Sequence, residues 1–298
     1  MREEIRLSTV ALAGTELLRE GSFGSLGYLS DKRAQKLVFI ETEDMANKIT
    51  QDDTVSCAIV GSALADRMPP AIGVLVSSNP SATFFEVHNK LAAESHFYGD
   101  PFKSLIDPTA NIHKSASIAE NSVRIGRHCR IEANAVVGEG SVLEEAVSIG
   151  PGSVIGCGSR VCLRKDRIAH ELTSTGGVLL RVHSEIRANC CVSRAVLGGD
   201  TILGEYTMLD NLVSVGESAK VGRRCLLAAN CAIGSHTHVG DDVWIGPSAV
   251  LMENITVGHK AFVTIGSVVV GDVAEGQKVT GNFAVDHQKF VDFIKRIR

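Results

Sequence analysis

Between Val215 and Val239 the chain carries three side chains able to take up a proton in acyl or phosphoryl chemistry: Glu217, His236 and His238. Glu217 falls two residues after the aliphatic Val215, and His236 falls three after Ile233. A glutamate serves as a general base near neutrality only if burial or a like charge raises its pKa. An imidazole titrates there unaided. Either Glu217 or His236 could act as a base, or neither, in which case each is a solvated surface group. His236 and His238 share a face if they lie on one strand. No third ligand accompanies them, so no metal is expected. Upstream, Arg194, Asp210 and Asn211 occupy outward positions suited to substrate contact.

What must position these residues is a six-residue beat. An aliphatic residue recurs at Ile125, Ile131, Val137, Leu143, Ile149 and Ile155, and again every six from Leu203 to Val269. A small or β-branched residue follows four later, as at Ala135, Ser141, Ala219 and Ser267, and Gly often follows directly. A short fixed period predicts a solenoid. One flat face, one inward anchor and one tight corner per hexad predict a triangular parallel β-helix, three hexads to a coil. About eight coils follow from Ile106 onward, stacked at the inter-strand spacing of about 4.8 Å. The beat breaks at 162–177 and skips at Gly198–Gly199. An insertion of this kind is expected to project as a loop, where binding residues are often found.

Residues 1–100 lack the beat. LVFIE, CAIV and GVLV read as strands, and DMANKI and SATFFEVHNKLAAE as helices. The tail DHQKFVDFIKRIR reads as a short amphipathic helix over 285–298, placed to cap the open end of the solenoid. Net charge is −4, which does not suggest nucleic acid. The start MREEIRLSTVALAG has no signal-peptide h-region, and no apolar run reaches membrane-spanning length, so a cytoplasmic protein without membrane insertion is expected. Of eight cysteines, Cys129, Cys190, Cys225 and Cys231 fall in the small slot of their hexads, where Cys packs as a small hydrophobe. No disulfide framework is expected.

The hexad resembles the signature of the left-handed β-helix acyltransferases. Residues 185–222, with Ala188, Asn189, Arg194, Leu197, Asp200, Thr201, Gly204, Asp210 and Asn211, resemble the UDP-3-O-acyl-glucosamine N-acyltransferases of lipid A synthesis. That resemblance implies an α/β N-terminal domain that binds nucleotide (1–100), a left-handed β-helix over 101–284 and a homotrimer with sites between prisms. It implies transfer of an acyl group from acyl carrier protein or acyl-CoA to the amine of a nucleotide-linked aminosugar, with no bound cofactor. In the family's IAHN motif the catalytic histidine aligns with Glu217, and a second family histidine aligns with Asn254. The family's uracil site, spaced by threes, aligns with Phe39, Thr42 and Met45, of which only the aromatic is kept. The C-terminal coil, with Gly266, Ser267, Gly281 and Asn282, resembles the acetyl-CoA branch, whose backbone lines the donor path. His238 is a further substrate contact in this reading. Because both family histidines are replaced, the alternative is a non-catalytic trimeric protein of the same fold that binds sugar nucleotide or acts as a scaffold.

Overall fold

The computed structural model describes residues 4–94, 96–158, 162–165, 168–281 and 286–297, with the backbone alone for 162–165, 168–171 and Phe290. The chain forms two compact units. One comprises Met1–Pro101, Gly158–Gly176 and Ala195–Gly199, and the other Phe102–Cys157, Gly177–Arg194 and Asp200–Arg298.

The second unit is the hexad region. Its strands form three all-parallel sheets of 8, 9 and 8 members, and the chain visits the sheets in strict rotation. The first sheet runs from Leu105–Ile106 to Thr256–Val257, the second from Asn111–Ile112 to Lys278–Val279, the third from Ser117–Ile118 to Val268–Val269. This is the parallel β-helix that the hexad predicted, left-handed as the family resemblance implied. The aliphatic of each hexad points inward: Leu143, Ile155, Leu203, Val215 and Leu227 are at most 1% exposed. Burying each is worth roughly 1.5–3 kcal/mol. The residue three after most of these aliphatics turns the corner with positive φ, as His128 does at 57° after Ile125 and Lys260 at 58° after Val257. Asn at 134, 189, 230 and 254 suits that left-handed turn better than most side chains do. The recurring Gly one after the aliphatic has a different cause, close approach. A Cβ on Gly204 would sit 2.3 Å from the Gly222 carbonyl oxygen of the next coil.

Val215 pairs with Ile233, 18 positions on, which is one coil. Ile155 pairs with Val192, 37 positions on, and Val192 with Val215, 23 on. The excesses over 18 are 19 and 5 residues, the lengths of Gly158–Gly176 and Ala195–Gly199. Both insertions leave the prism at the corner between the third and first sheets and join the first unit. The first is not the projecting loop expected from the break. Cys162–Lys165 and Ile168–Glu171 form an antiparallel hairpin, and Leu172 is 2% exposed among core residues of the first unit.

In the first unit, strands Ser25–Leu26, Lys36–Ile40, Val55–Val60 and Gly73–Val76 pair in parallel, and Glu16–Arg19 adds antiparallel to the last. Helix Pro80–Glu94 lays Phe84, Val87 and Leu91 on this sheet. Its His88 is fully buried. The Thr173 carbonyl oxygen, 2.7 Å away, can only accept, so Nε2 carries the proton and Nδ1 accepts from the Tyr98 hydroxyl at 2.6 Å. Burial holds the His88 pKa below the usual histidine value, against the opposing pull of the Thr173 hydrogen bond. The native ring is therefore neutral where an unfolded chain, near pKa ~6.5, would take up a proton. Stability from this group is present above that pH and is lost as pH falls below it. The midpoint of urea unfolding is expected to drop between about pH 7.5 and 5.5, and to drop less in His88→Gln.

At the far end, His287–Ile297 forms the expected helix, but Phe293 and Ile297 remain 57% and 63% exposed.

Candidate active site

The corner between the third and first sheets gathers four of the residues singled out by sequence. The register Val192, Val215, Ile233, Leu251 runs straight down the third sheet. Two residues after these come Arg194, Glu217, Ser235 and Glu253; one further come Ser218, His236 and Asn254. The backbone ladder locks the stack: His236 N–H donates to Glu217 O at 2.9 Å, and Asn254 N–H to Ser235 O at 3.0 Å. Gly216 lets the coils close at this point, because a Cβ there would lie 2.6 Å from the Ser235 nitrogen.

Glu217 is only 3% exposed, so it is not the solvated surface group that was the alternative to a base. Its Oε1 faces His236 Nε2 at 3.6 Å, and the imidazole is the more open partner, with 19% of its side chain exposed against 4% for the carboxylate. The two alternative bases are therefore one pair. His236 sits at φ 56°, a left-handed corner that histidine tolerates better than bulkier side chains. It stacks on Ser218, the equivalent corner residue one coil earlier, which sets it beside Glu217. Asn254 occupies the same corner one coil on and is exposed. Arg194 is half-buried. Burial lowers its pKa and the Glu139 carboxylate opposes that shift.

The remaining expected contacts lie elsewhere. Asp210 and Asn211 are on the corner between the second and third sheets. Their polar atoms are partly spent on the coil: Asn211 Oδ1 accepts from Ala188 N–H at 3.1 Å, and Asp210 Oδ1 accepts from Asn211 N–H at 2.8 Å. Gly266 turns the same corner at φ 64°, and Ser267 is 2% exposed. Gly281 packs on them, since a Cβ there would meet Ser267 Cα at 2.5 Å. Asn282 lies outside the described residues. His238 faces outward on the first sheet, paired in register with Lys220 and Thr256, so its role beside His236 has no shared corner to support it. In the first unit, Phe39 is half-buried among Phe84, Phe85 and Tyr28, with ring centroids 5.3, 6.0 and 6.1 Å away. Thr42 caps the helix Glu43–Ile49, its Oγ1 accepting from Met45 N–H at 3.3 Å.

Residues 122–157 match the family model for the bacterial transferase hexapeptide (six repeats). Over 244 residues the chain is 31% identical to the UDP-3-O-acylglucosamine N-acyltransferase of Caulobacter vibrioides, spanning 70% of this chain and 68% of that protein. The chain belongs to the UDP-3-O-acylglucosamine N-acyltransferase family. It is a hexapeptide acyltransferase. A second relative, UDP-3-O-acylglucosamine N-acyltransferase 1 of Francisella tularensis, is 25% identical over 64% of this chain and 62% of its own length. Among solved structures, UDP-N-acetylglucosamine acyltransferase from Campylobacter jejuni superposes with a TM-score of 0.49 at 16% identity, covering 64% of this chain and 82% of that one. Within this acyltransferase family, the present chain carries a buried glutamate and a histidine one coil on at the corner that sequence reading had marked. Either was legible alone; they stand 19 positions apart on an 18-residue coil, so His236 stacks one position past Glu217.

Proposed function

We propose that the protein transfers an acyl group from a thioester, on acyl carrier protein or CoA, to the amine of a nucleotide-linked aminosugar, with the Glu217–His236 pair as its acid–base device. The pair carries this reading: a buried carboxylate set against a more open imidazole is the arrangement in which one group orients and the other moves the proton. In this assignment His236 takes the ammonium proton as the sugar nitrogen attacks the thioester carbon. Glu217 holds the ring and stabilises the imidazolium. The tetrahedral oxyanion collapses with loss of the thiolate, and no acyl-enzyme is needed. Arg194 and Asn254, above and below on the same corner, are the substrate contacts.

Two further features support the reading. The outer face of the third sheet beside this corner is apolar, with Val250, Met252, Val268 and Val270 between 43% and 70% exposed, a strip suited to an acyl chain. Phe39 stands near the carboxyl end of a central parallel strand, where open α/β sheets take their ligands. A homotrimer belongs to the same reading, and the exposed stack of Trp244 on Phe262, 5.7 Å between centroids, offers surface for a neighbouring subunit.

The test is thioester consumption by the intact protein across acyl carrier protein and CoA donors of several chain lengths, against UDP-linked aminosugars with free amines. An amide product identified by mass is expected. No turnover with any pair would overturn the proposal.

A further inference from the structure

Cys157 and Cys191 stand apart from the other described cysteines. Cys129, Cys190, Cys225 and Cys231 fill the small slot and are 1–2% exposed. Burial pushes their thiols up, that of Cys231 to about 12. Cys57 is equally buried, its thiol pushed up to about 11. Cys157 and Cys191 are only half-buried, on neighbouring strands of the third sheet. Val154 pairs with Cys191 and Cys157 with Ser193, and the register shifts between Ile155 and Cys157, where Gly156 adopts φ 78°. Cys157 Sγ thereby lies 3.1 Å from Cys191 Sγ and 3.7 Å from Ser193 Oγ. The hydrogen bond from Cys191 lowers the Cys157 thiol to about 6, and the same bond, with burial, pushes Cys191 up. The thiolate is the reactive form of cysteine, and thiolate character with access is what selects a site for oxidation.

We propose that Cys157 and Cys191 are an oxidisable dithiol that a hydroperoxide closes into a disulfide within the β-helix. The Cys157 thiolate sulfur attacks a peroxide oxygen and the O–O bond breaks. The departing alkoxide or hydroxide takes a proton and leaves as alcohol or water, and Cys157 becomes a sulfenic acid. The Cys191 sulfur then attacks the Cys157 sulfur, the S–O bond breaks, and the hydroxide leaves with the Cys191 proton as water. Two thiols lose two electrons to one hydroperoxide and give one disulfide, one alcohol and one water. The two sulfurs start 3.1 Å apart on neighbouring strands already tied by the ladder, Arg194 N–H donating to Cys157 O at 2.9 Å. Dithiol exchange reverses the bond. Cys157 pairs in register with Ser193, the residue before Arg194, so the bridge forms on the strands that lead into the corner carrying the acid–base pair. The inference rests on the sulfur geometry and not on the acyl-transfer reading.

The intact protein is treated with a small excess of hydrogen peroxide, alkylated and mapped by mass spectrometry. The expected result is a product two hydrogens lighter with a cross-linked peptide joining Cys157 to Cys191, restored by dithiothreitol. Cys157→Ser and Cys191→Ser each abolish the link, and Cys190→Ser leaves it intact. In the reduced protein, alkylation of Cys157 is expected to be half-maximal near pH 6, and to move toward ~8.5 in Cys191→Ser. If a cysteine variant does not fold, the wild-type map and its pH profile decide alone. Oxidation that stops at a sulfenic or sulfinic acid, a bond to Cys162, or a bond only between chains would overturn the proposal.

Discussion

His236→Ala is expected to lower kcat for acyl transfer by about 10²–10⁴-fold, with KM changed little, the usual worth of a positioned general base. The geometry behind the expectation is the 3.6 Å contact between His236 Nε2 and the 3%-exposed Glu217. A carboxylate so enclosed reaches a substrate amine less readily than the imidazole beside it. Glu217→Gln keeps the shape but removes the charge that would stabilise an imidazolium, so it too should lower kcat. The double variant should then be little worse than His236→Ala alone, because residues that act as a unit are not additive. Steady-state kinetics with a thioester assay measure all three, with circular dichroism as the folding control. Near-wild-type turnover in His236→Ala, with loss in Glu217→Gln, would transfer the role of base to the carboxylate. Had the two residues been unrelated surface groups, their effects would simply add.

The reason this pair was only half legible is specific. Each coil is 18 residues, so inward residues such as Val215 and Ile233 announce their partnership by type alone. Outward residues carry no such signature. Glu217 and His236 meet across a 19-residue interval because His236 stacks on Ser218, the residue after Glu217, and not on Glu217 itself. The same limit hid the dithiol. Cys157 and Cys191 are 34 apart, an interval set by a 19-residue insertion whose path is tertiary information. Strands Lys36–Ile40, Val55–Val60 and Gly73–Val76 and helices Glu43–Ile49 and Pro80–Glu94 were readable because their apolar runs are local, whereas strands Glu16–Arg19 and Ser25–Leu26 were not. Nor was Lys36. At the start of a core strand it is fully buried, its amine held by Asp52 Oδ2 at 2.9 Å and by the Leu29 and Asp31 carbonyls. Nothing in the strand pattern distinguishes it from a solvated lysine. The C-terminal helix shows the converse. Its period was right, yet Phe293 and Ile297 of its apolar stripe remain 57% and 63% exposed.

Phe84→Ala is expected to destabilise the first unit by about 3–5 kcal/mol, the range for truncating a fully buried aromatic. Phe84 is completely buried on helix Pro80–Glu94, edge-on to Phe85 at 5.1 Å and tilted against Phe39 at 5.3 Å. Removing it loses the transfer energy of the ring, leaves a cavity, and strips two aromatic contacts worth roughly 0.5–1.5 kcal/mol each. At a urea dependence of about 2 kcal/mol per molar, the midpoint for loss of helical circular dichroism should fall by about 2 M. That signal suits the purpose, since the long helix it would report lies in this unit, whereas the single tryptophan, Trp244, lies in the β-helix. Phe39 is the discriminating comparison. It is only half-buried in the same cluster, so Phe39→Ala should cost less stability than Phe84→Ala. If Phe39 also seats a nucleotide base, Phe39→Ala should raise the KM for the sugar nucleotide well beyond what the lost stability explains. Equal stability losses in the two variants, with no change in that KM, would make Phe39 a packing residue and remove it from the binding site.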